Sequence, residues 1–277
     1  MTTPGLGSMR LCVLASGSSG NCSALVIGEG DDAEVVLIDL GLSPRRTRRE
    51  LGAIGIDFSR VRRVLLTHFD SDHFHTGWIG TLPRHMTQLV HRRHLGRGER
   101  ENVLANVSEP YDGPIQLNRV TIHPHVVPHD ELGSVSFRFE AAGGGTLGFA
   151  TDLGRVTGEF INHLAAVDVL AIESNYCPRM EHESNRPDIL KKRVMGGKGH
   201  LSNQQSAEAV RRIAPREHVV LLHLSRQCNT PELAAAGHAG RAYQLTISRH
   251  DQPTPWIPIA PSCQPRVVSR VAATLFD

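Results

Sequence analysis

Four side chains of metal-binding type lie within six residues of one another. They are His68, Asp70, Asp72 and His73, in the segment LLTHFDSDHFHTG (65–77). Imidazole nitrogens and carboxylate oxygens are ligands for Zn, Mn and Fe, and an apolar stretch that predicts a buried strand runs straight into them. The alternative is a solvated polar loop, but carboxylates clustered without a cation would repel one another. The spacing therefore favours a metal site at the end of a strand.

The same segment resembles the signature of the metallo-β-lactamase fold, whose usual form is HxHxDH after a hydrophobic strand. One position departs from that form, because Asp70 stands where the family has its second histidine. A carboxylate is a harder ligand than an imidazole, so the replacement favours Mn or Fe over strict Zn in the first metal site. It does not abolish the site, since carboxylate oxygens also bind Zn.

The rest of the family's ligand series also has matches in this chain. They are His129 in VVPHD (126–130), Asp152 in ATDLG (150–154) and His223 in LLHLS (221–225). The resemblance implies two divalent ions, Zn, Mn or Fe, in two sites that share a bridging aspartate. Site one would hold His68, Asp70, His129 and Asp152, and site two would hold Asp72, His73, His223 and Asp152. In such a pair one ion lowers the pKa of a bridging water to give hydroxide, and both ions clamp the attacking and leaving oxygens.

Each of these three matches has a plainer alternative. His123 and His125 compete with His129, although only His129 lies in a loop that follows a strand. Asp152 has the character of a turn residue, and His223 that of a histidine buried on a strand. The remaining histidines are expected at the surface; among them are His85, His91, His94, His163, His182, His218, His238 and His250.

Four further segments resemble one branch of the fold. They are LASGSSGNCS (14–23), ESNYCP (173–178), GHLSNQQSAE (199–208) and LLHLSRQCNTPELA (221–234). This YycJ/WalJ-type branch resembles DNA 5′-exonucleases, which implies a dinuclear phosphodiesterase acting on DNA, with Asp72 and His200 as catalytic residues. His200 precedes the N-terminus of a predicted helix, where it would contact the scissile phosphate or protonate the leaving oxygen. Ser225 and Asn229 would position the phosphate.

A basic cluster lies just before His200, and its members are Lys191, Lys192, Arg193 and Lys198. Charge runs are usually solvated faces, but this one adjoins a candidate catalytic residue. Lys192 and Lys198 are therefore predicted to bind the phosphates of DNA without reading its sequence. Two other functions stay open: a thioester or small-phosphodiester hydrolase on the same fold, and a di-iron redox or non-catalytic metal protein, suggested by Asp70.

The strand pattern predicts how these residues are brought together. Apolar and β-branched stretches between turn signals predict strands over 10–16, 22–28, 34–41, 61–68, 87–91, 115–127, 134–141, 146–152, 167–174, 218–225 and 243–248. Helices are predicted over 43–55, 155–165 and 202–214. We expect an α/β fold, an αββα sandwich of two mixed sheets with outer helices. The run SGSSGN (16–21) is interpreted as a tight glycine turn, because a strand follows it and no P-loop lysine is present.

Composition limits the remaining possibilities. The chain has 277 residues, of which 40% are hydrophobic and 21% charged, an ordinary globular balance with a net charge of +2. Its five cysteines are odd in number and form no CxxC, which argues against a disulfide framework. No apolar run of about 18 residues and no signal peptide are visible, so a cytoplasmic protein without a membrane partner is expected. The predicted domain spans 10–250, between an N-terminal extension (1–9) and an irregular, proline-rich tail (251–277); the oligomeric state is left open.

Overall fold

The computed structural model describes residues 8–260, in which strands alternate with short helices. The strands are β1 (Met9–Ala15), β2 (Cys22–Ile27), β3 (Glu34–Ile38), β4 (Val61–Leu65), β5 (Thr87–His91), β6 (Ser108–Tyr111), β7 (Ile115–Leu117), β8 (Val120–Val127), β9 (Ser134–Ala141), β10 (Thr146–Ala150), β11 (Val169–Glu173), β12 (His218–Leu222), β13 (Gln244–Ile247) and β14 (Ile257–Ile259). The helices are α1 (Pro44–Ala53), α2 (Arg92–Arg100), α3 (Gly158–His163), α4 (Pro178–Glu183), α5 (Asp188–Met195), α6 (Asn203–Ile213) and α7 (Pro231–Ala236).

The strands of this range form two seven-stranded sheets. The first has the order β14-β1-β2-β3-β4-β5-β6, and the second has the order β13-β12-β11-β10-β9-β8-β7. Both are mixed: β3 to β6 run parallel in the first and β10 to β13 in the second, while the other pairs are antiparallel. Parallel strands end at the same edge of a sheet, which is where α/β folds place their sites.

Apolar side chains fill the space between the sheets and the space outside each of them. In β1, Leu11 and Val13 face the core between the sheets, where Phe137 from the second sheet also lies. Cys12 points the other way, into the layer under α1 and α2. Phe160 belongs to the third layer, between the second sheet and helices α3 and α6. Because both faces of each sheet are covered near its centre, central strands such as β2 and β11 are buried along their whole length. The predicted αββα sandwich is confirmed.

Side-chain caps fix the starts of the two helices that the sequence predicts best. The Ser43 hydroxyl accepts a hydrogen bond from Arg46 N at the start of α1. Ser202 and Gln205 form a reciprocal capping box at the start of α6. Both helices lie within two residues of their predicted bounds.

The prediction of an irregular tail from residue 251 is wrong for its first part. Strand β14 pairs antiparallel with β1, and Thr254 N donates to Val13 O at 2.9 Å. Pro258 is tolerated because β14 is an edge strand, where a missing amide hydrogen costs no ladder bond. Met9, assigned to the N-terminal extension, already belongs to β1. Residues 1–7 and 261–277 lie outside the described residues.

Two histidines expected at the surface are buried. His94 is 1% exposed and His238 is 6% exposed. His238 pairs with the Tyr243 hydroxyl at 2.7 Å, whereas neither ring nitrogen of His94 has a hydrogen-bond partner. His94 lies on α2, which the sequence pattern does not predict because its residues RRHLGRGER are mostly charged or small. Between residues 8 and 260, no helix has the length and apolar character needed to cross a membrane.

Candidate metal centre

The ends of five strands, from both sheets, meet at one edge of the sandwich. Asp39 follows β3, the metal loop (residues 68–73) follows β4, Asp152 follows β10, Glu173 ends β11 and His223 follows β12. Asp39, Asp152 and His223 adopt left-handed backbone conformations, with φ of 63°, 53° and 56°. Such conformations are unfavourable for residues with a side chain and are characteristic of functional sites.

The residues predicted for site one converge on one point. The Nε2 atom of His68 lies 3.3 Å from Asp152 Oδ2. Asp70 Oδ2 lies 3.6 Å from His68 Nε2 and 3.6 Å from His129 Nε2. His68, His129 and Asp152 are buried, and each of the three can direct a ligand atom to within 4.8 Å of the others.

The residues predicted for site two lie beside the first group, across Asp152. His73 Nε2 is 2.5 Å from Asp152 Oδ2, and His223 Nε2 is 3.1 Å from Asp72 Oδ2. Asp72, His73 and His223 also form a group whose ligand atoms lie within 4.8 Å of one another. Asp152 contacts both groups, as a bridging carboxylate must.

Hydrogen bonds to Nδ1 orient two of the imidazoles. His73 Nδ1 lies 2.7 Å from the buried Asp39 carboxylate, and His129 Nδ1 lies 2.9 Å from Gly199 O. Fixing Nδ1 in this way leaves Nε2 to face the centre and raises the basicity of the ring as a ligand. His223 Nδ1 lies between two carboxylates, 2.9 Å from Asp152 Oδ1 and 3.1 Å from Glu173 Oε1.

The donor set fits divalent cations. His68 Nε2 is buried and has no hydrogen-bond partner, an arrangement that is costly unless another group satisfies this atom. It faces the carboxylates of Asp70 and Asp152 rather than apolar side chains. The sets of imidazoles and carboxylates are those that Zn, Mn and Fe take.

The carboxylates of the centre are held in the ionised form that a ligand requires. Burial alone would raise the pKa of Asp152, but the adjacent His223 and His73 hold it well below its usual range. The same balance, with His73 as the main opposing group, lowers the pKa of Asp72 to about 2. Proton and metal compete for these oxygens, so a low pKa favours metal binding near neutral pH.

Asp70, which replaces the family's histidine, is paired with an arginine. Arg97 Nη1 donates to Asp70 Oδ1 at 2.6 Å, while Oδ2 of the same carboxylate faces His68 and His129. One oxygen is thus fixed by α2 and the other is directed at site one. The sequence alone gives no sign of this pair, because 27 residues separate its members.

His200 lines the cavity beside the metal centre. Its Nδ1 lies 2.7 Å from Glu173 Oε1 and 3.4 Å from Asp152 Oδ1. Burial opposes the protonated ring, but Glu173 and Asp152 raise the pKa of His200 to about 9. The cavity, of about 460 Å³, is also lined by Asp72 and Arg97. An imidazole at this wall can exchange a proton with a group bound over the centre.

The profile of the beta-lactamase superfamily domain matches residues 34–224. The chain belongs to this superfamily. It is 27% identical to the exodeoxyribonuclease YycJ of Bacillus anthracis, over 82% of this chain and 86% of that one. It is 28% identical to the exodeoxyribonuclease WalJ of Streptococcus pneumoniae, over 81% and 85%. The crystal structure of the metallo-β-lactamase fold protein YhfI from Bacillus subtilis has a TM-score of 0.66 at 15% identity, over 89% of this chain and 99% of that one.

This superfamily membership confirms the resemblance inferred from the metal loop. Together with the ligand groups, it makes the chain a metal-dependent hydrolase. The metal-binding side chains occupy the strand ends of the superfamily fold, and divalent ions are its cofactors.

The structure does not bring Ser225 and Asn229 to the cavity. The Ser225 hydroxyl, on a 3% exposed residue, accepts from Arg186 Nη2 at 3.2 Å and from Cys228 N at 3.2 Å. Asn229 is 6% exposed and donates to Ser174 O at 2.9 Å. Their polar atoms are used in internal hydrogen bonds and neither residue is among those that line the two cavities, so their role in positioning phosphate stays a prediction.

The predicted phosphate-binding lysines are both exposed, but only one of them borders the site. Lys198 lines a second cavity, of about 650 Å³, which shares Asp70, Arg97, His129 and Arg193 with the first. Lys192 is not among the lining residues of either cavity. The cations that line the first cavity are Arg97 and Arg193, and the sequence analysis did not select them as substrate-binding.

The glycine turn between β1 and β2 supports the metal loop of this superfamily member. Asn21 N donates to Asp72 O at 2.7 Å, and Asn21 Nδ2 donates to the same oxygen at 3.2 Å. Gly17 and Gly20, with φ of 139° and 135°, give the turn a shape that other residues rarely adopt. The sequence predicted the turn, but not its contact with the site.

Proposed function

We propose that this chain is a dinuclear metal-dependent phosphodiesterase that degrades DNA, as a 5′-exonuclease. The observation that carries the proposal is His200, fixed by Glu173 at the wall of a cavity that also contains the metal ligands and two arginines. The two relatives named exodeoxyribonuclease, similar over most of their length, support DNA as the substrate. The 5′ polarity is carried over from the resemblance to that branch of the fold.

In this proposal His68, Asp70 and His129 would hold one ion, Asp72, His73 and His223 would hold the other, and Asp152 would serve both sites. When bound, the ions supply Lewis acidity, which makes water a stronger nucleophile and stabilises negative charge on the reacting phosphate. Asp39 and Glu173 keep the ligand imidazoles in the correct orientation.

His200 is the proton donor to the leaving oxygen. An ionised Glu173 can only accept hydrogen bonds, so His200 Nδ1 donates to it and Nε2 is left for the substrate. This is the orientation that a buried carboxylate imposes on a catalytic histidine in other hydrolases. An alkoxide leaving group such as a deoxyribose oxygen requires that proton.

Charged side chains of both signs line the two adjoining cavities. Arg97 and Arg193 line the first cavity, but Arg97 pairs with Asp70 and Arg193 pairs with Asp130. Arg100 and Lys198 line the second cavity and are exposed. Cations at these positions can bind the phosphates of a polyanionic substrate without reading its sequence, which favours such a substrate over a thioester.

The test compares His200→Ala with the matched control His85→Ala, which removes an exposed histidine outside the cavity. His200→Ala should keep its bound metal and lose about 10²- to 10⁴-fold in kcat on end-labelled DNA. On bis(4-nitrophenyl) phosphate the loss should be much smaller, because nitrophenolate leaves without a proton. Equal losses on both substrates would refute the role of His200 as proton donor, and no loss on either would remove it from the site.

A further inference from the structure

Helix α5 presents two neighbouring aliphatic side chains to solvent. Ile189 is 81% exposed and Leu190 is 38% exposed. Among residues 8–260, the other exposed large hydrophobic residues are Ile79 and Val107, at 37% and 38%. Ile189 is therefore the most exposed of the large hydrophobic residues between residues 8 and 260, and Leu190 is its exposed neighbour on the same helix.

The same helix forms one wall of the site cavity. Leu190, Arg193 and Val194 line that cavity together with His200. Its C-terminal end is firmly attached to the site, because Val194 is buried and its carbonyl accepts a hydrogen bond from His200 N at 2.9 Å. Ile189 directly precedes Leu190 on the same helix and is largely exposed to solvent. The aliphatic pair is thus held at a fixed position next to the residue proposed to protonate the leaving group.

Cations follow the aliphatic pair along the chain. Asp188 precedes the pair on α5, Lys191, Lys192 and Arg193 follow it, and Lys198 lies in the loop that leads to His200. Arg193 is paired with Asp130, whereas Lys192 and Lys198 are exposed. Exposed aliphatic side chains beside exposed cations match a ligand that combines anionic phosphates with apolar base faces. A second copy of this chain fits less well, because a two-fold contact through α5 would bring the same three cations of both copies together.

We propose that Ile189 and Leu190 form a wedge that packs against the terminal base pair of duplex DNA. This inference rests on the proposed function, since it requires that the scissile phosphate lie in the cavity beside His200. Aliphatic side chains of proteins that bend DNA insert between base steps and unstack them, while nearby cations hold the phosphates. Here the wedge opens the terminal pair, so that one strand enters the cavity and the other is turned away.

The experiment uses the metal-loaded full-length protein and a duplex with 2-aminopurine in its terminal pair. Phosphorothioate linkages at the ends prevent hydrolysis. Because 2-aminopurine is quenched when stacked, its fluorescence should rise when the wild-type protein binds. Ile189→Ser should abolish most of that rise and weaken duplex binding about tenfold, the amount expected for losing one buried aliphatic side chain. Ile79→Ser is the matched control and should behave as wild type.

The outcomes separate this inference from the proposed function. If the wild type binds and degrades DNA but Ile189→Ser gives the same fluorescence rise and affinity as Ile79→Ser, the wedge is refuted and the nuclease proposal stands. If the wild type neither binds nor degrades the duplex, both fail. If Ile189→Ser changes the sedimentation coefficient from dimer to monomer, the patch belongs to a contact between copies and the wedge is also refuted.

Discussion

Glu173→Gln tests how the metal centre and His200 are held together. The buried carboxylate faces four donors. Oε1 lies 2.7 Å from His200 Nδ1 and 3.1 Å from His223 Nδ1, and Oε2 accepts from Leu153 N at 2.8 Å and Leu201 N at 3.1 Å. Glutamine keeps one acceptor oxygen, so its amide NH₂ must face either the two imidazoles or the two backbone amides.

The two orientations have different costs. With NH₂ toward the backbone, two buried N–H groups lose their acceptor, and each loss lowers the free energy of unfolding by about 1–3 kcal/mol. That is a large part of the roughly 5–15 kcal/mol by which a folded protein is usually stable. With NH₂ toward the imidazoles, both rings can reprotonate on Nε2 and accept at Nδ1, which costs less. His223 would then present a proton to the cation. We therefore expect metal affinity to fall about 10- to 100-fold, together with the rate of phosphodiester hydrolysis.

Titration of metal-free protein with Mn²⁺ and Zn²⁺ measures the effect, with thermal unfolding followed in parallel. Glu181→Gln is the matched control, because Glu181 is also fully buried but pairs with Arg186 at 2.9 Å. The control should lower the melting temperature without changing metal affinity. Unchanged metal affinity in Glu173→Gln, or an equal loss in both variants, would refute the reasoning.

Four other substitutions test three separate parts of the structure. A Cβ at Gly41 would lie 1.8 Å from a backbone carbonyl oxygen of the metal loop, so Gly41→Ala should reduce metal content and melting temperature. The control is Gly52→Ala, which has open space around it and should change neither quantity. Burial, with nearby positive groups, lowers the pKa of His94 to about 3. In the unfolded chain His94 takes up a proton below about pH 6.5, whereas the folded protein keeps it neutral. The free energy of unfolding should therefore decrease by about 1.4 kcal/mol for each unit by which the pH is lowered between about 6.5 and 3. His94→Phe should remove that slope in denaturant titrations at pH 7 and pH 5, and an unchanged slope would contradict the assignment. Arg97→Ala should weaken binding of the ion proposed for site one, the site that contains Asp70. Asp70→His should shift the preference of that site from Mn to Zn. If competition titrations with the two metals show neither effect, Asp70 is not a ligand.

The metal loop could be predicted from sequence because its information is local. Four ligand side chains lie within six residues after an apolar strand, namely His68, Asp70, Asp72 and His73. The αββα sandwich follows from central strands that are apolar on both faces. The resemblance to the superfamily then indicated the distant ligands, which spacing alone does not connect. The structure places those ligands at adjoining strand ends.

The residues that position the ligands were harder to find. Asp39 and Glu173 end apolar strands, and a buried carboxylate at such a position is a signal that the sequence does contain. Arg97 gives no such signal, because its role depends on how α2 packs against the metal loop. Lys192 was predicted to bind phosphate because it lies close to His200 in the chain. Whether a helical residue reaches a cavity depends instead on the direction in which the helix presents it, and Lys192 lines neither cavity.

We propose that this centre, loaded with two divalent ions, hydrolyses DNA from an end. The most direct measurement is the release of nucleotides from 5′-labelled duplex DNA by wild-type protein, as Mn²⁺ is titrated into the metal-free chain. We predict no release without metal, activity that saturates as two ions bind per chain, and none from Asp72→Ala at any Mn²⁺ concentration. Equal release by the metal-free protein or by Asp72→Ala, or no release by the fully loaded wild type, would contradict the account.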